Sequence, residues 1–126
     1  MCKISFVIPC YGSEHTLKDV VNEIEHTVDE QNQNLAKWDY EIILVNDCSP
    51  DNVWNVIENL CENNSKVKGI KLVKNFGQHS ALMAGYNCVT GDYIITLDDD
   101  GQTPANQAFR LINKLEEGYD VVYGYY

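Results

Sequence analysis

Positive charge is scarce in this sequence: nine Lys and Arg stand against nineteen Asp and Glu, a formal net charge of −10. Such a surface repels a phosphodiester backbone, which excludes nucleic acid as an expected partner. It also means that an anionic nucleotide could be bound only with a counter-charge. No apolar run approaches the ~20 residues needed to cross a bilayer. Met1 leads straight into a strand-like segment, without the charged and apolar regions of a secretion signal. No C-x-x-C pair occurs, and the five cysteines (Cys2, Cys10, Cys48, Cys61, Cys88) are scattered. An odd, scattered set reads as reduced thiols of a cytoplasmic protein, not a disulfide frame or zinc site. Cys10 and Cys48 follow apolar runs and are expected to be small buried filler.

Two phosphate cradles are also missing. The first apolar run ends in Pro9-Cys10-Tyr11-Gly12 rather than G-x-G-x-x-G, and no G-x-x-x-x-G-K-[ST] occurs. Dinucleotide-dependent dehydrogenases and P-loop NTPases are thereby disfavoured. With 126 residues, 44% of them hydrophobic, and no linker or repeat, one domain with its own core is expected.

What is present alternates between two periodicities. Ile4–Ile8 is a short apolar run stopped by Pro9, and a helical stripe follows at Leu17, Val20, Val21, Ile24 and Val28, with Ser13 as its cap. A polar loop is expected over Gln31–Lys37. Glu41–Val45 is a second strand, and Ser49-Pro50 then signals a helix striped by Val53, Val56, Ile57 and Leu60. Gly69–Val73 is a third strand, and small residues from Gln78 to Cys88 predict a helix packed closely on a sheet. Tyr93–Leu97 is a fourth, running into three aspartates. Thr103-Pro104 opens a helix with Phe109, Ile112 and Leu115, and a strand at Asp120–Tyr123 follows. This order predicts an α/β fold, a Rossmann-like three-layer α/β/α sandwich with a mostly parallel sheet.

In open α/β sheets ligands bind beyond the carboxyl ends of the strands, where strand order reverses. With strand order 3-2-1-4, the ends of the first and fourth strands face one crevice, and that of the second lies beside it. The candidates there are Pro9, Tyr11 and Glu14, then Asn46 and Asp47, then Lys74 and Asn75, and lastly Asp98 to Gln102. Three crowded carboxylates repel one another unless a cation joins them. Alternation points Asp98 and Asp100 one way and Asp99 the other. With the amide oxygen of Gln102 they make a hard oxygen set suited to Mg²⁺ or Mn²⁺. The competing reading is a solvated acidic turn that caps the next helix. Tyr11 can stack on a base and Asp47 can accept from a base N–H, although an ordinary loop tyrosine and an Asx turn fit those positions too. Glu14 is expected in a first helical turn, where the dipole favours a carboxylate anyway.

The motifs together resemble glycosyltransferase family 2. Phe6–Leu17 (FVIPCYGSEHTL) is similar to that family's V-I-P-x-Y-N-E-x-x-x-L opening, and Ile42–Asp51 (IILVNDCSPD) to its V-D-D-x-S-x-D element. Lys74–Pro104 resembles R-N-x-G-x-x-x-A-x-x-x-G followed by D-x-D-x-Q-x-P. Of its branches, the polyprenyl-phosphate glycosyltransferases are the most similar. The resemblance implies a GT-A fold, with Met1–Tyr126 as the nucleotide-sugar-binding part and an acceptor half beyond it. It implies inverting sugar transfer from a UDP- or GDP-sugar to a lipid phosphate or saccharide, in a parent enzyme at the cytoplasmic membrane face. Pro9, Tyr11, Glu14 and Asp47 would then lie at the nucleoside. Asp98, Asp100 and Gln102 would hold the metal, and the Asp99 backbone would pass the ribose. Gly12, Asn46, Lys74 and Asp99 depart from the usual Asn, Asp, Arg and Ala. Gly77 matches a family glycine and is expected to serve packing. A receiver-like signalling domain, the other fold gathering aspartates at strand ends, needs an acidic pair after the first strand, where Pro9-Cys10-Tyr11 stands. A non-catalytic nucleotide-sugar-binding module remains the alternative function.

Overall fold

The apolar runs become strands in the computed structural model, which describes residues 2–33, 38–74 and 77–99. They are β1 (Cys2–Cys10), β2 (Trp38–Asn46), β3 (Val67–Lys71) and β4 (Tyr93–Thr96). Between them run α1 (Leu17–Asn32), α2 (Val53–Asn63) and α3 (Gln78–Tyr86). The predicted helix from Thr103 and strand at Asp120–Tyr123 lie outside the described residues, as do Asn75, Asp100 and Gln102. No helix among the described residues is long and apolar enough to cross a membrane.

The sheet has the order β3-β2-β1-β4 and all its pairings are parallel. Strand pleating sends alternate residues of β1 to opposite faces. Ile4, Phe6, Ile8 and Cys10 join Ile42 and Leu44 against the stripes of α1 (Leu17, Val21, Ile24, Val28) and α2 (Val53, Ile57). Each such large apolar side chain, fully buried, contributes about 1.5–3 kcal/mol. Ile43 and Val45 face the other way, toward Ala81 and Ala84 of α3. Two helices on one face and one on the other make the expected three-layer α/β/α sandwich. The small residues of α3 matter at Gly85, where a Cβ would sit 2.5 Å from Val7 Cγ1. Any side chain there would push the helix off the sheet.

Pro9 acts differently from the expectation. It does not end β1, which continues to Cys10 paired with Asn46. The Leu97 N–H donates to the Val7 carbonyl, so residue 7 presents its backbone to β4, and residue 9 faces the same way. Proline has no N–H to extend that ladder, and the β1·β4 register stops at Val7–Thr96. The ends of β1 and β4 are thus released from each other where a ligand crevice is expected.

The opposite end of β4 is tied down by a buried carboxylate. Glu41 on β2 is 1% exposed and accepts from Ser5 Oγ (2.6 Å), Thr90 N (2.6 Å), Thr90 Oγ1 (3.1 Å) and Lys68 Nζ (2.8 Å). Burial opposes its charge, but the Lys68, Ser5 and Thr90 donors win and bring its pKa down to about 2. The Gly91 N–H also donates to Ser5 Oγ, at 2.9 Å. The turn leading into β4 is therefore held across β1 to β2, which sets where the aspartates at the far end emerge.

The helix starts are also displaced from their signals. α1 begins at Leu17, and the carbonyl of Ser13, not its hydroxyl, takes the Thr16 and Leu17 N–H groups. α2 begins at Val53 rather than at Pro50, with Asp51 Oδ1 accepting the Val53 N–H at 3.3 Å. α1 runs on through Gln31 and Asn32, which were expected in a loop, and β3 starts two residues before Gly69.

Candidate functional site

The segment after β1 is held by its own backbone N–H groups. Tyr11 N donates to Asp99 Oδ2 (2.8 Å), Gly12 N to Ser49 Oγ (2.8 Å) and Glu14 N to Asp51 Oδ2 (3.0 Å). The loop is pinned from the β4 side by Asp99 and from the β2 side by Ser49 and Asp51. Gly12 has φ 71°, a left-handed conformation open to glycine and, among larger residues, best tolerated by asparagine. The exchange of the family's Asn for Gly at this position therefore keeps the backbone shape. Gly77 likewise has φ 91°, and a Cβ there would meet nothing within 4 Å. Its role is conformational and not the expected packing.

These bonds have a chemical consequence. N–H groups that point at neighbouring carboxylate and hydroxyl oxygens are not presented to an anion. The loop is no phosphate-binding nest, in keeping with the missing glycine cradle. Pro9 is buried in β1 opposite Val45, while Tyr11 is 52% exposed at the rim. Glu14 precedes α1 rather than lying in its first turn, and its side chain lines a groove between α1 and α2 with His15, Val56 and Leu60.

At the end of β2, Asp47 is 4% exposed and its N–H donates to the Cys10 carbonyl (3.1 Å), placing it level with Tyr11. Asn46 Oδ1 accepts the Ser49 N–H at 2.9 Å, a bond a carboxylate oxygen makes equally well, so the family's aspartate is not needed for it. Burial works against the charge of Asp51, but the Ser49 hydroxyl and the Glu14 and Val53 N–H groups outweigh it and hold its carboxyl below its ordinary pKa. Cys10 is buried filler as expected, its thiol pushed far up by burial and then by the nearby charge of Asp99. Cys48 is not: it is exposed, with φ 53°, in the turn beside Asp47.

At the end of β4, Leu97 is buried and Asp98 exposed, while the Asp99 carboxylate turns to Tyr11. The Asp99 carbonyl accepts Thr16 Oγ1 at 2.8 Å. Of the expected metal set Asp98, Asp100 and Gln102, only Asp98 lies within the described residues. No group of three or more His, Cys, Asp or Glu among those residues is disposed around a metal. The chemistry still fits a hard divalent cation. Asp98 puts an exposed carboxylate at the end of β4, an oxygen ligand of the type such cations prefer.

The structure brings Tyr11, Asp47, Asp98 and Asp99 to one edge of the sheet. Sequence reasoning missed Ser49 and Asp51 as the anchors of the loop. Their signal was the S-P-D spacing after β2, read as a helix start and as part of the family's V-D-D-x-S-x-D element, with no role given to either side chain.

Comparison with known proteins gives two results. A family profile described as glycosyl transferase family 2 matches residues 5–125. Among solved structures, S. aureus TarS 1–349 superposes with a TM-score of 0.69 at 20% identity, covering 91% of this chain and 32% of that one. The same protein in complex with UDP-GlcNAc gives 0.66 at 21% identity, covering 89% and 31%. The mannosyltransferase PcManGT from Pyrobaculum calidifontis, in complex with GDP-Man and Mn²⁺, gives 0.68 at 17%, covering 84% and 30%. These likenesses are of fold. The chain spans about a third of the length of those proteins.

Proposed function

The chain belongs to glycosyl transferase family 2, and on that footing we propose that it is the donor-binding part, residues 1–126, of an inverting GT-A glycosyltransferase. The donor is a UDP- or GDP-sugar, the transferred group a hexosyl type, and the acceptor a polyprenyl phosphate at the cytoplasmic face of the membrane. The observation that carries this reading is the convergence of Tyr11, Asp47 and Asp98 around a loop whose N–H groups are already used. The donor complexes of TarS and PcManGT support it by likeness of fold.

Each residue has a task in this reading. The exposed Tyr11 ring stacks on the base and the Asp47 carboxylate accepts from a base N–H. Pro9 serves the nucleoside end by ending the β1·β4 ladder, and Glu14 by the N–H that fixes the loop to Asp51. Asp98, Asp100 and Gln102 would hold Mg²⁺ or Mn²⁺. A cation there supplies positive charge against the leaving diphosphate. The acceptor oxygen attacks the anomeric carbon as the bond to the diphosphate breaks. A phosphate acceptor is already an anion and needs no base, whereas a hydroxyl acceptor needs one within hydrogen-bond reach. No residue of this chain is given that task.

The test is calorimetric titration of UDP and GDP with and without Mn²⁺, using wild type, Asp98→Ala and Asp100→Ala. Metal-dependent binding of one nucleotide, abolished in both variants, is expected. A folded wild type that binds neither nucleotide with any divalent cation sinks the proposal.

A further inference from the structure

Asp99 is the residue that the metal reading leaves without a task, since its carboxylate is turned away to the β1 loop. Its two contacts fall on Tyr11 and Thr16, at either end of the segment between β1 and α1. They also stand where the β1·β4 ladder has just been ended by Pro9. Beyond Val7–Thr96 the end of β4 is joined to β1 and the segment after it by the Leu97 ladder bond and by these two from Asp99. On the β2 side Gly12 and Glu14 have their own anchors, Ser49 and Asp51. Among the described residues, the anchor of the Tyr11 N–H is Asp99.

We propose that Asp99 is a positioning residue for the donor site: its carboxylate holds the Tyr11 backbone, and so the Tyr11 ring, at the rim, and it is not a metal ligand. A bond from a neutral N–H to an ionised carboxylate is roughly twice as strong as a neutral pair. Breaking it frees an exposed side chain whose ordering must then be completed on binding, a penalty that lowers affinity without touching the metal. Alanine at this position has no side-chain acceptor and could not make the contact. The inference rests on the donor reading above for the identity of the ligand, but the hold on the loop can be measured without any ligand.

The experiment uses the 126-residue chain as wild type, Asp99→Ala, Asp99→Asn, Thr16→Val and Asp98→Ala. UDP and GDP are titrated with Mn²⁺ and with EDTA, and amide hydrogen exchange is followed at Tyr11. Asp99→Ala is expected to weaken nucleotide binding with Mn²⁺ about 5–10-fold by loss of preorganisation, to leave that binding dependent on Mn²⁺, and to speed Tyr11 exchange at least about tenfold. Asp99→Asn, which keeps an acceptor oxygen, recovers most of both effects. Thr16→Val loosens the loop but leaves the Tyr11 amide protected, and Asp98→Ala removes the response to Mn²⁺ while leaving Tyr11 exchange as in wild type. A lost Mn²⁺ response in Asp99→Ala makes it a metal ligand and overturns the proposal. So does unchanged Tyr11 exchange, or normal wild-type binding that Asp99→Ala leaves intact. A wild type that binds neither nucleotide overturns the donor reading, and in that case the exchange data alone show whether Asp99 holds the loop.

Discussion

Replacing Glu41 perturbs the site from the far end of the sheet. Its carboxylate lowers the free energy of the fold only while ionised and bonded to Ser5, Thr90 and Lys68. Its pKa falls from 4.5 in the unfolded chain to about 2 when folded. A depressed carboxyl stabilises fully above the unfolded value, and the contribution is lost as pH falls through the folded one. The shift corresponds to about 3 kcal/mol at pH 7 and about 1.5 kcal/mol at pH 3. Glu41→Ala also leaves the Thr90 N–H and Ser5 hydroxyl short of an acceptor, which adds about 1–3 kcal/mol. Glu41→Gln keeps the volume and one acceptor oxygen but opposes an NH₂ to Lys68, and it loses about half as much. Urea unfolding measures this. With a slope of about 1.5 kcal/mol/M, Glu41→Ala moves the midpoint at pH 7 down by ~2 M or more. The gap to wild type narrows by about 1.5 kcal/mol at pH 3. A gap below ~0.3 M at pH 7, or one that is the same at both pH values, would falsify the charged, bonded carboxylate.

Three further outcomes are expected. Gly12→Asn is accommodated within about 1 kcal/mol, whereas Gly12→Val loses about 2 kcal/mol through its left-handed φ; thermal unfolding of the pair shows whether the order holds. Gly85→Leu drives a side chain into Val7 and Val45 and costs about 1–3 kcal/mol, and a melting temperature equal to wild type would mean that α3 sits further from the sheet. Under native conditions a thiol-specific maleimide labels exposed Cys48 and Cys88 but not Cys10, which is buried and held in its thiol form; mass spectrometry of the digested protein locates the label, and rapid native labelling of Cys10 contradicts its place in the core.

The strands, the helices and the three layers were legible in the sequence because each rests on a local pattern. The runs at Ile4, Glu41 and Tyr93 are apolar and short, the stripes of α1 and α2 have helical spacing, and the small residues around Gly85 announce a close approach. The readings that failed depend on which strands become neighbours. Proline at position 9 reads as a strand end until β4 is known to lie on its N–H side. Glu41 reads as an ordinary strand opening, because its partners Lys68, Ser5 and Thr90 are 27, 36 and 49 residues away. Asp99 and Tyr11 are 88 residues apart, and only the β1–β4 adjacency joins them. The cap signals at Ser13 and Ser49 misled for a related reason: the Ser49 hydroxyl serves the loop after β1 instead of its own helix.

The central place of β1 also bears on how the chain is made. Lys3 at the start of β1 and Asp92 at the start of β4 are bonded partners 89 residues apart. At about 5–20 residues per second, synthesis separates them by several seconds or more. Through that interval β1 has β2 on one side and a bare edge on the other. That edge belongs to a largely apolar strand, the kind that recruits foreign strands. Pro9 shortens it, since a strand arriving alongside finds no N–H there. The residue at which the β1·β4 ladder stops in the finished protein thus also leaves the nascent strand less edge to pair.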